Sequence, residues 1–191
     1  TFNSAYIKQM GRQAFGDESL IRHVVKTAQE KNITTSGDFL IDLPGQTLDM
    51  IEEDLLKAIE IGFDQICIYH LVLYHGLGTV WSYDQSKLND IPSNEKASEH
   101  WKYVCKLMAK NNYVQTTITN FEKQSTIYLN RSFLYERNEM EMVKHDFIGF
   151  GPCAITRLKR DNLLSAVTVI NPMESSEYIK SMRENSDGLP W

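Results

Sequence analysis

The feature that most constrains the fold is the stretch from Asp38 to Thr47, which reads Asp-Phe-Leu-Ile-Asp-Leu-Pro-Gly-Gln-Thr. An apolar strand with a carboxylate near its start leads into a Pro-Gly turn, and Thr47 then precedes an amphipathic helix. A strand that runs straight into a helix is one βα half of a parallel sheet, and such sheets place their sites at the carboxyl ends of the strands. An ordinary βα corner without a ligand is the alternative interpretation.

The flanking sequence extends this pattern in both directions. Asp17 or Ser19 is expected to cap a helix, and Gly62 is expected to end the helix that Thr47 begins. The apolar residues 63–74 predict a second strand, buried on both faces. Farther along, the pattern predicts a long helix after Pro92-Ser93, a β-branched strand over 113–121 and a final helix around 174–184. The alternation of helix and strand predicts an α/β fold made of parallel βα units.

Composition excludes several classes of partner. A net charge of −5 over 191 residues, without a Lys/Arg cluster, argues against nucleic-acid binding. No apolar run is long enough to span a bilayer, and no secretory leader is visible at Thr1. The three cysteines (Cys67, Cys105 and Cys153) are widely spaced and do not predict a disulfide framework, so a reducing cytoplasm is the expected location.

Several short motifs together resemble one enzyme family. They are the stretch 38–47, Gly78-Thr79, the segment 119–121 and the glycine-rich run 149–155, which reads Gly-Phe-Gly-Pro-Cys-Ala-Ile. In this order and spacing they are similar to the oxygen-independent coproporphyrinogen III oxidases and their relatives, a branch of the radical S-adenosylmethionine enzymes. The resemblance extends over essentially the whole chain. It implies a partial TIM-type barrel over residues 1–112 and a family-specific α+β extension over residues 113–191.

The resemblance also implies a reaction and two cofactors. In this family a [4Fe-4S] cluster cleaves S-adenosylmethionine, and the adenosyl radical starts the oxidative decarboxylation of coproporphyrinogen III in porphyrin and heme biosynthesis. A close Cys-x-x-x-Cys-x-x-Cys loop holds that cluster, and this sequence contains no such loop. The chain is therefore interpreted as the carboxyl-proximal part of a larger oxidoreductase, inactive by itself. The alternatives are a related tetrapyrrole protein that binds heme, degrades heme or transfers methyl groups, and a non-catalytic binding or assembly module.

Residue by residue, the resemblance implies an adenosyl pocket. Arg12 matches an arginine that contacts bound S-adenosylmethionine, and Asp38 matches an acidic residue that accepts ribose hydroxyls. The remaining matches are Tyr69, Val72 and Ile155 around the adenine, and Gly149 and Gly151, where the backbone could approach a ligand closely. A surface arginine, a turn-capping aspartate, core packing and a plain glycine turn are the respective alternatives.

The other polar residues give weaker indications. His70 and His75 lie near the end of the second strand, but their odd spacing places them on opposite faces, so no metal site is predicted. Scattered cations (Arg131, Arg137, Arg157, Lys159 and Arg160) could pair with the propionates of a tetrapyrrole, although solvated surface is the simpler interpretation. Sheet edges left exposed by a partial barrel would favour strand pairing between two copies, hence a homodimer.

Overall fold

The N-terminal part of the chain is built around a parallel pair of strands. In the computed structural model, which describes residues 1–15, 17–133, 144–159 and 166–184, β1 (Ser36–Ile41) pairs in parallel with β2 (Gln65–His70). The crossover between them is helix α3 (Leu48–Ile61). This βαβ unit confirms the predicted fold class, although β2 is shorter than the predicted strand over 63–74.

Local sequence signals set the ends of α3 as predicted. The Thr47 hydroxyl accepts a hydrogen bond from the Met50 amide at the helix start. Gly62 ends the helix with φ at 89°, a left-handed conformation in which a side chain would be strained. The buried face of α3 includes Ile51 and Leu55, which pack into the main core.

The remaining helices of this half begin where polar caps are available. α1 spans Ser4–Gln9, and α2 spans Glu18–Glu30 with Asp17 as its cap. α4 spans Gln85–Asn89, and α5 spans Asn94–Lys110 with the Ser93 side chain as its cap, as predicted. Short 3-10 turns cover Gln13–Phe15 and Val80–Tyr83.

The predicted strand over 113–121 is wrong, because the structure has a hairpin there. β3 (Tyr113–Gln115) and β4 (Asn120–Lys123) are antiparallel, and β4 also pairs antiparallel with β2. The Thr116 amide donates to the Asn120 carbonyl, and the Thr117 hydroxyl accepts from the Asn120 amide. Thr hydroxyls can satisfy backbone groups in a turn, so this β-branched run bends instead of extending. Helix α6 (Gln124–Tyr128) follows directly.

The sheet order is β1-β2-β4-β3, so β1 and β3 form its edges among the residues that the structure describes. One face of this sheet packs on α3 and α5 through a core of large apolar side chains. The fully buried members include Ile41, Ile66, Ile68, Val104, Met108 and Phe121. Strand pairing between copies at an edge stays a prediction.

The second compact unit has its own small sheet. The chain divides into units at Thr1–Phe133 and Leu134–Trp191. The second contains the antiparallel pair β5 (Ile155–Lys159) and β6 (Ala166–Ile170), and helix α7 (Ser175–Glu184) confirms the predicted final helix. The predicted boundary at residue 112 separates the partial barrel from the family-specific extension, and it stays a prediction. Arg137 and Arg160 lie outside the described residues.

Candidate functional site

Three of the predicted site residues line one open cleft in the first unit. Its volume is about 520 Å³. Arg12, Asp38 and Tyr69 lie on its wall, and apolar side chains fill in much of the rest of the lining, among them Ile7, Ile21 and Leu40. The cleft therefore combines a guanidinium, a carboxylate and a phenol ring on a largely apolar surface, the composition typical of small-molecule sites.

The strand register explains why Asp38 and Tyr69 face the cleft together. Burial alternates along β1, with Phe39 and Ile41 turned toward the core and Asp38 exposed. Across the parallel pair, Asp38 lies opposite Cys67 and Leu40 lies opposite Tyr69. Because side chains opposite each other share a face of the sheet, the Asp38 and Tyr69 side chains project away from the helices.

Arg12 is positioned by α1 and the turn that follows. The Tyr6 hydroxyl donates to the Pro44 carbonyl at 2.9 Å, which ties α1 to the Pro-Gly turn. Burial raises the pKa of Tyr6, so its hydroxyl stays protonated and remains a donor at neutral pH. Gly11 then reverses the chain with φ at 65°, and the Arg12 amide bonds the Ile7 carbonyl.

Val72 lies in a neighbouring cleft instead. This second cleft has a volume of about 470 Å³ and an apolar wall that includes Val72, Val80 and Trp81. Met10 and Arg12 line both clefts, so they form the divider between them. The structure thus brings Val72 beside Arg12 but places it outside the cleft of Asp38 and Tyr69.

Gly149, Gly151 and Ile155 belong to the second unit, and a common site with Asp38 stays a prediction. A Cβ on Gly149 would meet the Ile155 carbonyl oxygen at 2.6 Å, so the close approach here is by the chain's own strand. Gly151 has φ at 104°. The buried Asn171 amide donates to both glycine carbonyls, and the Tyr178 hydroxyl accepts from the Gly151 amide. The glycine loop is therefore a fixed turn within its unit.

A polar cluster around the buried Asp42, beside the strand ends, was missed by sequence reasoning. The two carboxylate oxygens of Asp42 accept hydrogen bonds from the Nδ1 atoms of His70 and His100, the latter at 2.6 Å. The ring of His70 also packs on Trp101, with centroids 5.3 Å apart. His70 is thus held by an aspartate, and the structure shows no pairing of it with His75. The only available signal was that Asp42 and His70 each lie near the end of a predicted strand.

Two known proteins and one solved structure are similar to this chain. The chain is 33% identical over 127 residues to "Heme chaperone HemW" of Lactococcus lactis subsp. lactis (strain IL1403). It is 24% identical over 194 residues to "Radical S-adenosyl methionine domain-containing protein 1, mitochondrial" of Danio rerio. The solved structure of coproporphyrinogen III oxidase (HemN) from Escherichia coli, described as a radical SAM enzyme, superposes with a TM-score of 0.66. The chain is thus similar to HemN-like radical S-adenosylmethionine proteins over part of their length.

The extent of each similarity limits what it shows about this chain. The chain covers 31% of the Lactococcus protein and 41% of the Danio rerio protein, while those matches span 63% and 98% of the chain. The HemN comparison covers 96% of this chain and 42% of the other, at 18% identity, so it shows the fold alone. No family model matches the sequence.

The residues of the first cleft fit S-adenosylmethionine. Asp38 offers two acceptors to ribose hydroxyls, Arg12 offers a fork of donors to a carboxylate, and Tyr69 offers an aromatic surface to a base. The volume of about 520 Å³ lies within the range of ordinary ligand pockets.

The cysteines do not fit a [4Fe-4S] cluster. Cys67 is buried and donates to the Gln65 side chain, Cys105 lies on α5, and Cys153 is exposed in the second unit. Burial raises the pKa of Cys105, which disfavours the thiolate that iron requires. Among the described residues, no group of three His, Cys, Asp or Glu side chains could hold a metal ion. No helix of that part of the chain has the length and apolar character needed to cross a membrane.

Proposed function

We propose that this chain forms one side of the S-adenosylmethionine site of a radical S-adenosylmethionine protein that handles a tetrapyrrole in the cytoplasm. The observation that carries the proposal is that Arg12, Asp38 and Tyr69, distant in sequence, line the same cleft. The similarity to radical S-adenosylmethionine proteins supports this choice of cofactor, and the side chains of the cleft have the chemistry to bind it.

Each residue has a separate task in this proposal. The Asp38 carboxylate accepts the two ribose hydroxyls, and Arg12 holds the carboxylate of the methionine part. Tyr69 and Leu40 cover the apolar side of the ligand and exclude water from it. S-adenosylmethionine, when bound, supplies the radical chemistry of the family, while the protein positions it.

We propose that the substrate is coproporphyrinogen III, which the parent protein would decarboxylate oxidatively. The second candidate function is the binding of heme. The fold of HemN supports the first, and the 33% identity to a heme chaperone supports the second. Of the five cations named in the sequence analysis as candidates to pair with propionates, the structure describes Arg131, Arg157 and Lys159. Calorimetric titrations of the chain with heme and with coproporphyrinogen III distinguish the two, since the ligand that the chain binds should give a saturating heat change at micromolar protein and the other should not.

Replacing Asp38 by alanine should weaken binding of S-adenosylhomocysteine, a stable probe of the site, by roughly 10- to 100-fold. This range corresponds to about 1.4–2.7 kcal/mol in total, roughly the net contribution of one hydrogen bond to a charged acceptor, because in an open cleft water takes over part of the bonding to the ribose hydroxyls. Isothermal titration calorimetry on the 191-residue chain measures the dissociation constants.

The matched control is Asp49→Ala, which removes an exposed carboxylate in the first turn of α3, away from the cleft. Its dissociation constant should equal that of the wild type. Equal affinities for the Asp38→Ala and Asp49→Ala variants, or no binding by the wild type, would contradict the proposed role of the cleft.

A further inference from the structure

The Asp42 carboxylate is almost fully removed from water. Asp42 and His100 are each only 3% exposed. A buried ionised carboxylate is costly unless hydrogen bonds satisfy its oxygens, and here each oxygen accepts one imidazole N–H. Because a carboxylate only accepts, both rings must carry their proton on Nδ1. The cluster therefore fixes the tautomer of His70 and of His100.

The backbone of Asp42 is unusual for a residue with a side chain. Its φ is 61°, in the left-handed region that favours glycine. Such conformations cost free energy and persist where the surroundings enforce them. Glycine would relieve the conformation but could not bind the two histidines, so the carboxylate accounts for an aspartate at this turn.

The cluster connects three elements at one end of the sheet. Asp42 directly follows the last residue of β1, His70 is the last residue of β2, and His100 lies within α5. Next to it, the Leu71 amide donates to the Ile41 carbonyl at 2.9 Å, where β1 and β2 part. The hydrogen bonds of Asp42 thus hold both strand ends against α5.

The same strand ends carry cleft residues on their other face. Tyr69 precedes His70 in β2 and faces the cleft, because neighbouring side chains in a strand point to opposite faces. In β1, Leu40 lies opposite Tyr69 and also lines the cleft. Fixing His70 on the helix side of β2 therefore fixes Tyr69 on the cleft side.

We propose that Asp42 is a positioning residue for the cleft: by binding His70 and His100 it holds the ends of β1 and β2 so that Tyr69 and Leu40 keep the shape of the ligand wall. The inference rests on the proposed function for the nature of the ligand. The coupling of the strand ends does not depend on the proposed function, because it can be measured without any ligand.

The test compares Asp42→Gly with wild type in the whole chain. Glycine accepts the positive φ, so the turn is retained while the carboxylate is lost. We expect the dissociation constant for S-adenosylhomocysteine to rise about tenfold, since small displacements of positioning groups are costly. We also expect the Leu71 amide to exchange with solvent about tenfold faster, because local opening becomes easier.

The matched control is Asn32→Gly, which relieves another positive φ, at 55°, after the end of α2. It should change neither the affinity nor the Leu71 exchange. An Asp42→Gly variant that also leaves both unchanged would overturn the inference and make Asp42 a turn residue only. If the wild type does not bind the probe but Leu71 exchange rises in Asp42→Gly, the proposed function fails while the coupling of the strand ends is supported.

A second variant, Asp42→Asn, tests the hydrogen bonds of the cluster directly and is used in case Asp42→Gly does not fold. Asp42→Asn presents one acceptor and one donor, so one of the two imidazoles must move its proton from Nδ1 to Nε2. Nitrogen-15 NMR of the histidine rings should show both Nδ1 atoms protonated in wild type and one tautomer change in Asp42→Asn. Unchanged tautomers in the folded variant would overturn the inference.

Discussion

Truncating Phe121 to alanine is expected to lower the free energy of unfolding by about 3–5 kcal/mol, the usual cost of removing a large buried ring. Phe121 is 1% exposed, and its ring lies 5.8 Å from that of Trp101 on α5. It also sits in β4, the strand that joins the hairpin to β2. Its loss would leave a cavity between the sheet and α5 that neighbouring side chains fill only in part.

Urea denaturation followed by tryptophan fluorescence measures this effect in the unit that contains Trp81 and Trp101. The matched control is Ile118→Ala in the turn of the same hairpin, where the side chain is 72% exposed. The control should change the free energy of unfolding by less than about 0.5 kcal/mol. Similar losses for both variants would show that the hairpin does not pack as described.

Replacing His100 by leucine should cost about 3–5 kcal/mol of unfolding free energy, because it leaves one oxygen of the buried Asp42 without a donor. Leucine keeps much of the volume and apolar contact of the ring, so the loss reports mainly the hydrogen bond. His100 is 3% exposed, and water cannot replace its Nδ1 donor without opening the contact between α5 and the strand ends.

The companion variant His100→Asn restores a donor close to the position of Nδ1 and should recover part of the loss. Both are measured by urea denaturation at pH 7 under identical conditions. If asparagine destabilises as much as leucine, the packing of the ring rather than its bond to Asp42 holds α5 in place.

The elements that the sequence predicts well are those with local signals. The hydroxyl of Thr47 and the left-handed Gly62 define α3 from both ends, and the apolar runs define β1 and β2. The hairpin was missed because β propensity alone does not distinguish an extended Thr from one whose hydroxyl bonds its own backbone. The turn depends on side-chain hydrogen bonds that a propensity scale does not contain.

In the candidate site, too, some contacts could be predicted from the sequence and others could not. Asp38 and Tyr69 could be paired from strand alternation once the family resemblance gave the register, and Arg12 joins them because Tyr6 anchors α1 to the Pro-Gly turn. The Asp42 cluster could not be predicted, since His100 comes from a helix 58 residues away in sequence. Contacts of that kind follow from tertiary packing, not from spacing.

Backbone amide chemical shifts of the nitrogen-15-labelled chain, recorded while S-adenosylhomocysteine is added, test the central claim most directly. The largest changes are expected on the cleft wall, at Arg12, Asp38 and Tyr69, and they should saturate together. Changes confined to other parts of the chain, or a spectrum that does not respond to the probe, would contradict it.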